Sequence, residues 1–323
     1  MAMVYRRLGS SGLKVSALSF GSWVTFGQQV TEETAYRCMV AAREAGVNFF
    51  DNAEAYAGGE SERVMGRILK RTGWKRSDLV LSTKIFWGGK GPNDRGLSRK
   101  HLLSAIDASL KRLGTDYVDL YQIHRLDEET PMEEALETLH GIVRSGKARY
   151  IGASSMYGWQ FAKLLYLADQ HGWTRFVSMQ NHYNLAYREE EREMMPLCVE
   201  EGIGVIPWSP LARGLLTGSR TRGDQRITVR AQNDAYGHEL YVSDADYDVA
   251  DRVEQIAREK GVSRAQVALA WLLSRPAVTA PIIGATKLQH LDDAVAALEV
   301  GLTEDEQRRL EEPYVPHAVA GII

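Results

Sequence analysis

The sequence predicts an α/β fold: a (β/α)8 barrel of the TIM type, preceded by a short β-hairpin. Three observations predict it. Apolar, strand-like runs alternate with amphipathic, helix-like runs along the chain, as in a parallel sheet with crossover helices. Eight candidate strands can be counted, ending near Gly21, Asp51, Lys84, His124, Ser154, Gln180, Trp208 and Gly284. The length, 323 residues, suits one barrel domain spanning 1–323. Eight alternations favour a closed barrel over a doubly wound sheet.

In chain order, Val4 to Val15, with Gly9 and Gly12 at its turn, reads as the hairpin. Val47–Phe50 runs into Asp51, Leu79–Thr83 into Lys84, and Val118–Ile123 into His124. Ser98 starts a helix with Leu102, Ile106, Leu110 and Leu113 on one stripe. Thr130-Pro131-Met132-Glu133 predicts a helix start: an N-cap Thr, Pro at the first helical position and Glu three residues after the cap. Leu136, Leu139, Ile142 and Val143 then form an apolar face at helical spacing. Thr303-Glu304-Asp305-Glu306 opens a last helix with a second capping box. Residues 217–245 break the rhythm. They are polar and turn-rich, with Arg220, Arg222, Arg226 and Arg230, and a loop of that length after the seventh strand is expected over the barrel mouth. The tail, 313–323, holds Tyr314, Pro316 and His317 without a helical period; it is a candidate substrate wall, or it packs outside the barrel.

Composition is ordinary, at 44% hydrophobic and 25% charged. A net charge of -3 creates no field favouring nucleic acid or an anionic membrane. No apolar run approaches the ~20 residues of a membrane helix, so no membrane insertion is expected. The opening Met1–Arg6 carries no apolar core, so no secretory signal is expected. Cys38 and Cys198 lie in helix-like segments without metal spacing and read as buried thiols of a cytoplasmic protein; no metal is expected.

Asp51, Tyr56, Lys84 and His124 carry the chemistry. Taken singly, each has an ordinary structural role: a barrel ion pair for Asp51 and Lys84, a loop aromatic for Tyr56, a core histidine for His124. Gathered at the carboxyl ends of successive parallel strands, they read as an active site. A phenol of pKa near ~10 is a poor acid at neutral pH, and an adjacent ammonium lowers it. Lys84 is expected to supply that charge, Asp51 to hold Lys84, and His124 to polarise a substrate carbonyl or help relay the proton. A metal-dependent barrel hydrolase would need clustered His and carboxylate ligands on strand ends. Only His124 and Asp51 sit there, with Lys84 opposing a cation.

Asp51-x4-Tyr56, Lys84 and His124-Arg125-x-Asp127 resemble the aldo-keto reductase superfamily. So do Leu13-Lys14-Val15-Ser16-x4-Gly21-Ser22-Trp23, Gly146-Lys147-x-Arg149-x2-Gly152-x-Ser154, and Trp208-Ser209-Pro210-Leu211-x2-Gly214-x2-Thr217-Gly218. Trp23–Gly27, Lys84–Lys90 and Arg95–His101 are most similar to the potassium-channel β-subunit-like branch. The resemblance implies reduction of a small carbonyl substrate, an aldehyde or ketone. The cofactor would be NADPH, with NADH as the alternative, and Tyr56 the proton donor. Ser154 and Gln180 would hold the carboxamide, and Ser22, Trp23 and Asp51 would line the nicotinamide end. Tyr183 would stack on the ring. Trp208, Ser209, Leu211 and Arg213 would follow the cofactor towards its pyrophosphate, and Gly284, Thr286 and Lys287 would open the adenosine site. Trp23 and Trp87, with Tyr56 and His124, would face substrate. Asn52, Ser155, His290 and Ala294 depart from the family's usual residues, the last two weakening the case for NADPH over NADH. The branch also implies a homo-tetramer or larger ring. A cofactor-sensing regulatory subunit of a membrane protein, with slow turnover, is the alternative function.

Overall fold

The computed structural model describes residues 3–222, 240–241 and 243–322. Most of the long loop, with Arg226 and Arg230, lies outside the described residues. The eight barrel strands are β3 (Ser19–Gly21), β4 (Phe49–Asp51), β5 (Val80–Ile85), β6 (Val118–Ile123), β7 (Ala148–Ser154), β8 (Phe176–Gln180), β9 (Gly204–Val205) and β10 (Ile282–Ile283). They pair in parallel in chain order, with β10 beside β3. The ring closes where Val205 N–H donates to Ala277 O at 3.0 Å and Thr279 N–H to Val205 O at 2.7 Å. Seven of the expected strand ends fall within one residue of the observed ones. Trp208 lies three residues past β9, held by a parallel bridge to His182.

The hairpin forms from β1 (Tyr5–Arg7) and β2 (Lys14–Ser16). It plugs the amino-terminal end of the barrel. Gly9, at φ +58°, lies so close to the start of β9 that a Cβ would sit 2.3 Å from Gly202 O. Leu8 and Val15 then join Phe49, Val80, Leu120, Ile206 and Ala280 in an inner apolar cluster. Strand side chains alternate between the interior and the helices, so two residues further along the interior-facing positions are Asp51, Ser82 and Gln122, and beyond them Lys84 and His124. The apolar floor and the polar layer above it are one period-two pattern.

The outer layer comprises α1 (Glu32–Glu44), α2 (Glu60–Thr72), α3 (Arg99–Leu113), α4 (Met132–Arg144), α5 (Gly158–His171), α6 (Met194–Glu200), α7 (Asp244–Lys260), α8 (Arg264–Leu273), α9 (Leu288–Ala296) and α10 (Glu304–Glu311). Ser98 caps α3, whose Leu102, Ile106, Leu110 and Leu113 are buried. Each such burial contributes roughly 1.5–3 kcal/mol. The capping box of α10 forms between Thr303 and Glu306. The one expected at α4 does not. Pro131 is the N-cap, and the Thr130 hydroxyl donates instead to Asp127 Oδ2 at 2.5 Å. Cys38 and Cys198 are buried free thiols. Among the described residues no helix is long and apolar enough to cross a membrane, and no cluster of His, Cys, Asp and Glu could hold a metal ion.

Candidate active site

The polar layer is organised around Asp51, buried at the end of β4. Its Oδ2 accepts from Lys84 Nζ at 2.6 Å. Its Oδ1 accepts from Ser82 Oγ at 2.6 Å, Gln122 Nε2 at 3.1 Å and Gln180 Nε2 at 3.3 Å. Lys84 is fully buried and donates further to Asn52 O at 2.8 Å and Tyr56 Oη at 2.9 Å. Burial works against its ammonium, but Asp51 and Tyr56 outweigh this and hold its pKa above the ordinary lysine value. A buried lysine stays charged only with such partners.

Tyr56 opens the turn Tyr56–Gly59, in which Ala57, Gly58 and Gly59 all take positive φ. That reversal leaves the phenol over Lys84. The expectation that Lys84 would leave it a stronger acid than usual is corrected. Burial dominates and raises the Tyr56 pKa, while the Lys84 charge pulls it part of the way back. The phenol is therefore held protonated. His124, one residue past β6, is neutral: burial, then Lys84 and Arg125, drive its pKa well below the usual histidine value. Its ring lies 5.7 Å from that of Tyr56 and 4.8 Å from that of Trp87.

These groups open on a cavity of about 350 Å³ bounded by Trp23, Gln28, Ala55, Tyr56, Ala57, Trp87, His124, Arg125, Ser154, Gln180 and Trp208. Trp23 stacks on Tyr56 at 6.1 Å and meets Trp208 edge-on at 6.1 Å. The Arg213 guanidinium lies 4.4 Å from the Trp23 ring centre. Trp208 is backed by a column of rings: His182 at 4.2 Å, Tyr187 a further 4.1 Å away, and His317 of the tail at 6.0 Å. The tail is fastened there by Tyr314 Oη and His317 N–H, both donating to Glu189 Oε1. Its described residues, 313–322, do not line the cavity, which corrects the substrate-wall expectation for them. Tyr183 is corrected as well: it is buried against Trp271, donates to Glu191 Oε1 at 2.6 Å, and is absent from the cavity lining that Trp208 supplies.

The aldo/keto reductase family's sequence profile matches residues 17–314. The chain belongs to the aldo/keto reductase family. It is 45% identical to "Versiconal hemiacetal acetate reductase" of Aspergillus parasiticus, covering 98% of each chain. It is 42% identical to an aldo-keto reductase of Fusarium vanettenii, over 98% of this chain and 92% of that one. It is 44% identical to "Probable voltage-gated potassium channel subunit beta" of Arabidopsis thaliana, over 92% of each. Members act on carbonyl substrates and use nicotinamide cofactors in general.

The residues of this aldo/keto reductase fit such a cofactor on their own geometry. Ser154 and Gln180 meet at the cavity wall, where Ser154 Oγ donates to Gln180 O at 2.8 Å. Ser22 is buried beside them, its Oγ donating to Asp51 O at 3.0 Å. Past Trp208, Ser209, Ala212 and Arg213 take left-handed φ of 51°, 46° and 53° around Leu211, so the chain folds into a tight concave turn with a cation at its edge. Such turns suit phosphate groups. Ser155, also at positive φ, accepts from Trp208 Nε1 at 3.0 Å. Gly284 lies close to Gly21 and Thr25, Thr286 is half-buried, and Lys287 is the exposed N-cap of α9. The described arginines of the long loop point elsewhere. Arg220 is buried and donates to Tyr241 O, and Arg222 pairs with Asp244, Asp248 and Asp251 around α7.

Sequence reasoning missed Ser82 and Gln122 as partners of Asp51. The signal was present: each stands two residues after an interior-facing apolar residue of its strand, Val80 or Leu120. It also missed Gln28 and Arg125, which loops bring to the cavity.

Proposed function

We propose that the chain reduces small aldehydes and ketones with NADPH, the proton coming from Tyr56. One observation carries this reading: Lys84 Nζ bridges Asp51 Oδ2 at 2.6 Å and Tyr56 Oη at 2.9 Å at the base of a cavity walled by tryptophans. The nicotinamide cofactor, when bound, supplies a hydride to the carbonyl carbon. Tyr56, held protonated by burial, gives its proton to the carbonyl oxygen. The Lys84 ammonium steadies the phenolate left behind, and Asp51 keeps that ammonium charged and aimed. Neutral His124 orients the carbonyl oxygen. Ser154 and Gln180 would hold the carboxamide, with Trp208 as the platform beside the ring. Ser22 and Trp23 would border it, Ser209, Leu211 and Arg213 would take the pyrophosphate, and Gly284, Thr286 and Lys287 the adenosine end. A cytoplasmic location and a homo-tetramer or larger ring belong to the same proposal, the latter checked by sedimentation.

The test is oxidation of NADPH and NADH against a panel of aldehydes, with Tyr56→Phe as control. General acid catalysis is worth roughly 10²–10⁴-fold, and the variant is expected to lose about that in kcat while binding cofactor normally. Near wild-type kcat in Tyr56→Phe would remove Tyr56 from the role. Slow turnover with very tight cofactor retention would instead favour the regulatory reading.

A further inference from the structure

Glu54 is buried between Asp51 and Tyr56 in sequence, and the reaction above does not use it. Its N–H donates to Lys84 O at 3.1 Å, and its Oε1 accepts from Phe86 N–H at 2.7 Å. Its Oε2 lies 3.7 Å from Nε2 of buried His101, in the first turn of α3. Nδ1 of His101 is 2.9 Å from Gly96 O. Phe86 and Gly96 are the two feet of the hairpin that carries Trp87. Gly96 N–H donates to Phe86 O at 2.9 Å, and Trp87 pairs with Arg95 in an antiparallel bridge. Gly88 lies against the same two side chains: a Cβ there would sit 2.7 Å from His101 Nε2 and 3.1 Å from Glu54 Oε2.

We propose that Glu54 and His101 are positioning residues, a buried clamp that gathers both feet of the 86–96 hairpin and so fixes Trp87 as the substrate-side wall of the cavity. This rests on the reading that the cavity takes the carbonyl substrate. The clamp touches neither the proton-donating phenol nor the carboxamide site, so it acts on substrate affinity rather than on turnover. It is also sensitive to pH. The charged and titratable groups around Glu54 are His101 and Arg112 from α3, Glu62 from α2 and Tyr121 from β6. Glu62 is itself engaged by Thr83 and Arg112. Burial above all, opposed by the Phe86 N–H, pushes Glu54 up to about 7, with Glu62 raising it further and Arg112 lowering it. The carboxylate is a stronger acceptor for Phe86 N–H than the neutral carboxyl. The hairpin is therefore gripped above about pH 7 and slackens below it.

Hydrogen–deuterium exchange of peptides covering 86–96 tests the clamp without requiring turnover. Wild type, Glu54→Gln and His101→Gln are compared at pH 6 and pH 8, with rates corrected for the intrinsic effect of pH. Wild type is expected to exchange faster at pH 6. Glu54→Gln is expected to exchange at both pH values as wild type does at pH 6, and His101→Gln to exchange faster than wild type at pH 8. In reduction of 4-nitrobenzaldehyde by NADPH at pH 8, Glu54→Gln is expected to raise KM about tenfold, as the loss of one charge-assisted contact would, with kcat and cofactor affinity within about twofold. Exchange that is independent of pH in wild type, or unchanged in both variants, overturns the proposal. So does a loss in kcat without a change in KM. If Glu54→Gln fails to fold, His101→Gln decides the matter. Turnover absent from wild type would sink the reductase reading alone, because the exchange measurement still reports on the hairpin.

Discussion

Gln122 Nε2 donates to Asp51 Oδ1 at 3.1 Å, and Gln122 Oε1 accepts from Gln180 Nε2 at 3.3 Å. One amide thus joins the carboxylate that anchors Lys84 to the side chain proposed to hold the cofactor's carboxamide. Replacing it with an isosteric apolar side chain leaves Asp51 with one donor fewer in a buried site. Gln122→Leu is expected to lower kcat about tenfold, the effect of one hydrogen bond to a buried charge. A kcat within about twofold of wild type would mean that Ser82, Lys84 and Gln180 suffice to fix Asp51.

Lys84→Met should raise the Tyr56 pKa further, because the Lys84 charge is the main influence pulling that phenol down against burial. Ultraviolet difference titration, with Lys84→Met/Tyr56→Phe subtracted, reads the phenol directly. The same substitution leaves buried Asp51 without its counter-charge, and unfolding in urea is expected to show a loss of about 3–5 kcal/mol. A phenol titrating as in wild type would sever the proposed coupling.

Glu190 offers a separate test of burial. It is packed behind β8, accepts from Asn181 Nδ2 at 3.2 Å, and is raised from 4.5 to about 7 chiefly by desolvation, despite that hydrogen bond. The folded chain therefore keeps a proton that the unfolded chain has released between about pH 4.5 and 7. Stability falls as pH rises through that window and stays reduced above it. Glu190→Gln keeps an acceptor for Asn181 and removes the charge. Its Tm should exceed that of wild type at pH 8, by an amount corresponding to at most about 3 kcal/mol, and match it near pH 4.5. A Tm difference that does not change with pH would assign the effect to packing.

Lys287, exposed at the start of α9, is the cation proposed for the cofactor's 2′-phosphate. A charge-assisted contact of roughly 1.5–3 kcal/mol corresponds to one to two decades in affinity. Lys287→Ala is expected to weaken NADPH by about that much and NADH hardly at all, measured by fluorescence titration. Equal losses for both cofactors would make Lys287 structural.

What could be read from the chain, and what could not, follows from where each signal resides. Asp51, Lys84 and His124 were legible because each ends a strand whose apolar run is unmistakable. Ser82 and Gln122 were hidden because barrel strands are buried on both faces, which blurs the alternation marking the interior. Glu54 and Arg125 act through loops whose paths depend on distant partners. Tyr183 follows β8 and Trp208 follows β9, and spacing alone cannot say that Trp208 turns to the cavity and Tyr183 to Trp271 of α8. At α4, the local capping pattern lost to Asp127, which draws the Thr130 hydroxyl away.

The column of rings behind Trp208 ends on His317, in the segment that follows α10. During synthesis the strands from β3 to β9 emerge well before the tail that buttresses that tryptophan. A nascent barrel would therefore present a loosely supported face until residues 313–317 have been made. A truncation that removes 313–317 would act directly on the footing of Trp208.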